Sequence, residues 1–222
     1  QLGAALQERL GASPVVRDPG AAHGHVHHDH VHGDEEPTGV DPHSTSVGVG
    51  RALAEALASG PERVVVDLTG LVTHDGGAGI LAALGAVADV PLDAGAGALG
   101  GLTTLDLAPA RARVGGTELV AVVDPSELQD MLLGLRGLTS RRGRAAGTDT
   151  ALMLATDAAL GTLAGALGQP DAPGLGAAGG AVLALTALGA TVMSGPSLCS
   201  AVAGLERTAS LADVLVTGAD HV

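Results

Sequence analysis

The stretch Val64-Val65-Val66-Asp67-Leu68-Thr69-Gly70-Leu71-Val72-Thr73-His74-Asp75-Gly76-Gly77-Ala78-Gly79-Ile80-Leu81-Ala82-Ala83-Leu84-Gly85 decides the fold. Residues 63–68 form a short continuous apolar run, the pattern of a strand covered on both faces. Residues 76–84 read as a helix whose N-terminus follows Asp75. Strand, glycine-rich turn and helix in that order are the building unit of a parallel sheet.

The same alternation continues outward. Residues 45–59 put Val49, Leu53, Ala56 and Leu57 on one helical face and stop at Gly60-Pro61. Residues 119–123 are a second buried strand, ending at Asp124-Pro125. Residues 148–167 hold the longest helical pattern, with Thr148 or Asp149 as N-cap. Residues 174–180 open a helix reaching about Leu188, 197–205 form another, and 213–216 read as a last strand before Thr217-Gly218. Towards the N-terminus, residues 2–10 read as a short helix and Val15-Val16 as a strand end. The expectation is an α/β fold with a mainly parallel sheet and helices on both faces. It divides into an N-terminal helix and strand (1–17), a His- and acid-rich loop (18–43) and an α/β region (44–222). Ligands of such sheets bind outside the carboxyl ends of the strands. Three such ends carry polar or Gly residues: Asp67 to Gly70, Asp124, and Thr217-Gly218.

Composition narrows the function. The 222 residues include no Phe, Tyr, Trp, Lys or Asn, which excludes base stacking on aromatic platforms and aromatic-lined pockets. A net charge of −13 repels a phosphate backbone, so no nucleic-acid partner is expected. No stretch of about 18 apolar residues is free of charge and Gly, so no membrane span is expected. The N-terminus, which starts at Gln1, does not read as a signal peptide. Cys199, the only Cys, reads as buried packing and fits a reducing, cytoplasmic setting.

Four elements bear chemistry. In Thr73-His74-Asp75-Gly76-Gly77-Ala78-Gly79, glycine lets backbone approach an anion, and helix-start N–H groups favour negative charge. Asp75 there reads as helix cap, metal ligand or acceptor of a substrate hydroxyl proton. The segment Gly174-Leu175-Gly176-Ala177-Ala178-Gly179-Gly180 follows a Pro-containing loop, not a strand, and reads as a helix start close to a ligand or a neighbouring helix. His23, His25, His27, His28, His30 and His32 alternate along the chain, so extended backbone would put alternate imidazoles on one side, suited to Zn or another transition metal. Arg141-Arg142-Gly143-Arg144 is the one basic cluster, read either as a phosphate contact or as a solvated loop. No nucleophile–His–acid arrangement is legible around His43 or His74.

The 64–85 stretch resembles the bacterial glycerate kinase family, which acts on D-glycerate with ATP and carries Gly-Gly-Ser-Ala-Thr-Asn-Asp-Gly-Gly-Ala-Gly between strand and helix. His43-Ser44-Thr45-Ser46-Val47-Gly48-Val49-Gly50 is similar to the family's Ser-Thr-x-Gly-x-Gly helix start. Residues 119–133 look like its strand and Asp-Val-x-Asn-Pro-Leu-Leu-Gly segment, with Asp124 at the Asp. Residues 174–180 resemble Gly-Ala-Gly-Ala-Ala-Gly-Gly, and 213–218 resemble Ala-Asp-Leu-Val-Ile-Thr-Gly.

The resemblance implies two α/β lobes with a cleft between them and phosphoryl transfer from Mg-ATP to a glycerate hydroxyl. It implies Asp75 at the acceptor hydroxyl or the metal, with Thr73, Gly76, Gly77, Asp124, Gly176, Gly179, Gly180, Thr217 and Gly218 around the substrate and phosphates. The departures fall on charged positions. The family's N-terminal Asp-Ser-Phe-Lys-Gly-Ser and Asp-Gly-Gly-Glu-Gly-Thr segments have no counterpart. His74 stands for the Asn before the Asp, Glu127 for the Asn after Asp124, and Ala146 for the Lys of Pro-Gln-Lys-Gly. Three roles remain open from the sequence: a glycerate kinase, a non-catalytic relative binding a small carboxylic acid, a nucleotide or a partner chain, and a metal-handling protein using the His tract. A homodimer or a partner chain is expected to cover exposed helix faces.

Overall fold

The computed structural model describes residues 15–17 and 39–214. The expected helix at 2–10, the His tract and Thr217-Gly218 lie outside these residues, as does half of the expected strand at 213–216.

The strands are β1 (Val15–Arg17), β2 (Arg63–Asp67), β3 (Val87–Ala88), β4 (Leu105–Asp106), β5 (Glu118–Val123) and β6 (Thr191–Ser194). The α-helices are α1 (Val47–Leu57), α2 (Ala78–Ala83), α3 (Ala108–Val114), α4 (Leu138–Ala145), α5 (Thr150–Ala166), α6 (Ala181–Ala187), α7 (Gly195–Ala203) and α8 (Leu205–Ser210). One sheet runs in the order β1-β2-β5-β6 with every pair parallel, and β3–β4 form a separate antiparallel pair.

The two-residue period of the strands divides the sheet into two faces. Val64, Val66, Leu119, Ala121 and Val123 join the main core with Leu53, Ile80, Leu81, Leu160, Leu163 and Leu183; α1 packs on β1 and β2 and α6 on β5 and β6, with α2 against both of these helices. Val65, Val120 and Val122 face the other way and pack on Leu198 of α7. The parallel sheet with helices on both faces is therefore as expected, although the second face is covered, among the described residues, mainly by α7. Among the described residues no helix is long and apolar enough to cross a membrane.

Several elements differ from expectation. The Arg141–Arg144 segment is helical, within α4, rather than a loop. Its Leu138, Thr139 and Gly143 are buried, but three arginines hide the apolar face from a periodicity reading. β6 and the β3–β4 pair are too short to stand out in sequence. The longest helix, α5, is capped at Asp149, whose carboxylate accepts the Leu152 N–H at 3.1 Å.

Candidate active site at the carboxyl edge of the sheet

At the β2–α2 junction the Asp75 carboxylate is fully buried. One oxygen accepts the Ser46 N–H at 2.7 Å, the Ser46 hydroxyl at 2.8 Å and the Gly79 N–H at 3.0 Å; the other accepts the Gly77 N–H at 3.0 Å. Ser46 Oγ in turn accepts the Ile80 N–H at 3.2 Å. Asp75 thus binds the first turn of α1 to the first turn of α2. Of the three roles expected for it, Asp75 fills that of helix cap in this structure, with three hydrogen bonds on one oxygen and one on the other.

The two glycine-rich segments meet each other instead of framing an anion. Gly76 N–H donates to Gly179 O at 3.3 Å. A Cβ on Gly179, whose φ is +69°, would lie 1.7 Å from Thr73 O. Corresponding Cβ atoms would strike Leu163 at Gly76, Ala184 at Gly77, Met131 O at Gly176, and Leu132 at Gly180. All five glycines and Thr73 are buried. The glycine character of these five positions therefore serves close packing of the two segments, with Thr73 between them.

Ala178 sits in this junction at φ 52°, the one positive-φ non-glycine among the described residues. The left-handed conformation costs an L-residue about 1–2 kcal/mol. Both of its peptide groups are held by other segments: its N–H donates to Glu127 Oε2 at 3.0 Å and its carbonyl accepts the Thr73 hydroxyl at 3.4 Å.

Beside the junction is a polar cluster that the sequence reading did not assemble. His74 is 1% exposed; its Nε2 is 3.0 Å from the Thr139 hydroxyl, and its Nδ1 is buried without a partner. Burial, aided by the neighbouring Arg142 charge, pushes the imidazole down to about 4, against a weaker opposing pull from Asp41. Arg142 donates to Thr73 O at 2.7 Å, and its own pKa is lowered by burial. Arg141 pairs with Asp130, and Arg144 donates to Leu135 O at 2.8 Å. Each arginine of the basic cluster thus has a protein oxygen as partner. Ala146, at the family's Lys position, is exposed at the end of α4.

What remains open to solvent is the carboxyl edge itself. In the parallel register Asp67 pairs with Val122, so continuing the two-residue period puts Asp67 and Asp124 on the same side of adjacent strands, the side covered by α7. Asp67 is half-buried and accepts the Thr69 N–H at 3.2 Å and hydroxyl at 2.6 Å. Asp124 is exposed and accepts the Ser126 N–H at 2.8 Å and hydroxyl at 2.6 Å, which hold its carboxyl below the ordinary range. On the next strand, Ser194 ends β6 and caps α7, its hydroxyl 2.8 Å from that of Ser197. The edge is a rim of two carboxylates and several hydroxyls. Asp67 and Thr69 were visible in sequence as a strand end, but only the register shows that this end lies beside the strand leading to Asp124. A shallow depression of about 360 Å³, lined by Pro196, Ser197, Ser200, Ala201 and Glu206, shares no residue with the Asp75 junction.

A divalent cation shared with phosphates needs only one or two protein carboxylates. Asp67 and Asp124 are the carboxylates that this edge offers; no group of three or more His, Cys, Asp or Glu able to hold a metal occurs among the described residues.

Comparison with known proteins agrees with this architecture. The family model described as the glycerate kinase family matches residues 28–222. The chain is 30% identical over 190 residues to glycerate 2-kinase of Escherichia coli (strain K12), covering 81% of this chain and 49% of that protein. It is 29% identical over 191 residues to glycerate kinase of Bacillus cereus, with the same coverages. A crystal structure assigned as glycerate kinase 2 from Salmonella typhimurium LT2 superimposes with a TM-score of 0.65 at 28% identity, covering 78% of this chain and 50% of that one. The chain spans about half the length of these relatives. On the family match, the ordered motifs and the shared parallel fold, the chain belongs to the glycerate kinase family.

Proposed function

We propose that this chain contributes the acceptor side of an ATP-dependent phosphoryl transfer to glycerate, in a cytoplasmic setting, and that its reacting groups are the rim carboxylates. The observation that supports this reading is the placement of Asp67 and, two residues beyond its register partner Val122, Asp124 on one side of the sheet's carboxyl edge, each carboxylate braced by a hydroxyl and an amide two residues on. Mg-ATP, when bound, supplies the phosphoryl group and neutralises its charge. The work of this chain is positioning, which dominates phosphoryl transfer. Asp124, ionised across the neutral range, accepts the proton of the acceptor hydroxyl or holds the cation. Asp67 shares that task from the neighbouring strand. The Thr69 and Ser126 hydroxyls fix both carboxylates in orientation. Asp75 holds α1 and α2 behind them.

A second reading has its own observation. The glycine segments are filled by protein, and Arg141, Arg142 and Arg144 are engaged with protein oxygens, so the described residues offer the phosphates little positive charge. A relative of this kind binds the acid or the nucleotide without turnover.

Incubation with D-glycerate and Mg-ATP, followed by detection of phosphoglycerate, separates the two. The kinase reading predicts product that requires both substrates and Mg. Saturable binding of either ligand with no product supports the second reading and contradicts the first.

A further inference from the structure

We propose that Glu127 is a positioning residue for the rim: its carboxylate clamps Ala178 in the left-handed conformation and so sets the turn carrying Asp124 against the turn that follows β2. The inference rests on the rim reading above for its consequence, but its geometry is independent of that reading.

Asp124 starts a single 3-10 turn, Pro125–Glu127, and caps it through the Ser126 N–H. Glu127, at the end of that turn, reaches the Ala178 N–H at 3.0 Å. Ala178 O accepts the Thr73 hydroxyl, and Gly179 O accepts the Gly76 N–H, so the glycine-rich turn is tied to the β2–α2 connection that begins at Asp67. Asp130 O also accepts the Gly174 and Gly176 N–H groups at 2.9 and 3.0 Å, so the Glu127 carboxylate is the side-chain tie between the Asp124 turn and the glycine-rich turn, and it acts at the strained alanine. Strain of this kind persists only where its surroundings over-determine it. Here Glu127 shares that role with Thr73; it is half-buried, and its charge raises the pKa of Arg141 and partly opposes the burial that lowers that of Arg142. Without the carboxylate, Ala178 relaxes and the Asp124 turn shifts against the glycine-rich turn, while the β2–β5 register, held by Leu68 N–H on Val122 O, is kept.

The test compares the wild-type chain with Glu127→Gln, Glu127→Ala and the double variant Glu127→Ala/Ala178→Gly. Two readouts are followed: exchange of the Ala178 amide by NMR, and kcat and KM with D-glycerate and Mg-ATP. The clamp predicts that Glu127→Ala speeds Ala178 amide exchange at least tenfold, while core amides in β2 and β5 stay protected. Glu127→Gln keeps an acceptor oxygen and stays near wild type. Misplacement of the rim lowers kcat by about 10- to 100-fold with KM for glycerate little changed. Glycine at 178 adopts the left-handed conformation without strain, so the double variant recovers most of the kcat. Unchanged Ala178 exchange in Glu127→Ala overturns the clamp, as does equal damage from Gln and Ala. If Glu127→Ala does not fold, the double variant must, and its failure also contradicts the proposal. If the wild type gives no product, the kinase reading falls, and the amide exchange still decides the clamp.

Discussion

Removing the Asp75 side chain leaves the Ser46, Gly77 and Gly79 N–H groups buried without an acceptor at the meeting point of α1 and α2. Unsatisfied buried donors and the loss of charge-assisted bonds predict that Asp75→Ala costs about 3 kcal/mol or more, read as a lower urea midpoint. An unchanged midpoint would contradict the structural role assigned to this residue. His74 makes a pH prediction with a definite sign. Its pKa falls from 6.5 in the unfolded chain to about 4 in the folded one, so below pH 6.5 the unfolded state binds the additional proton. Its contribution is complete above pH 6.5 and is lost as pH falls to about 4, by at most about 3 kcal/mol. Urea midpoints measured between pH 7 and pH 4 should fall more steeply for the wild type than for His74→Leu; parallel slopes would show that His74 is not held neutral. The sequence displayed both residues inside one motif, yet their neighbours there did not reveal their roles. The partners that decide them, Ser46 and Thr139, are 29 and 65 positions away.

Among the elements, those with a long apolar period or a continuous apolar run were legible: α1, β2, α2, β5, α5 and α6 lie where the pattern puts them. Burial writes itself into sequence when an element presents one face, or both, to a core. α4 escaped because its buried side is built from Leu138, Thr139 and Gly143 between arginines, and β6 because four residues carry too little pattern. Glycines show the same dependence on surroundings. Gly165 lies in α5 with open space around its missing Cβ, so Gly165→Ala should raise stability by about 0.5–1 kcal/mol through helix propensity alone. A Cβ on Gly79 would lie 2.4 Å from Val47 N at the contact of α2 with α1, so Gly79→Ala should lower stability by about 1–3 kcal/mol. Thermal unfolding of the two variants checks both signs, and a shift in the same direction for both would contradict the packing described.

At the scale of the molecule, the parallel sheet and the family were readable from the ordered motifs, whereas the contacts that join the glycine-rich segments were not. The family resemblance places chemistry on Asp75 and the glycines; folding buries them together and leaves the strand ends Asp67 half-buried and Asp124 exposed. Residues two positions beyond each carboxylate complete the rim, and only strand register shows that the two ends are neighbours. The most direct measurement of this account is the rate of phosphoglycerate formation from D-glycerate and Mg-ATP by Asp124→Asn and Asp67→Asn, set beside their melting temperatures. The account predicts that each loses about 100-fold in kcat while melting within a degree or two of wild type, because the replaced groups are outside the core and act on charge alone. Wild-type rates in both variants would contradict the assignment of the chemistry to the rim.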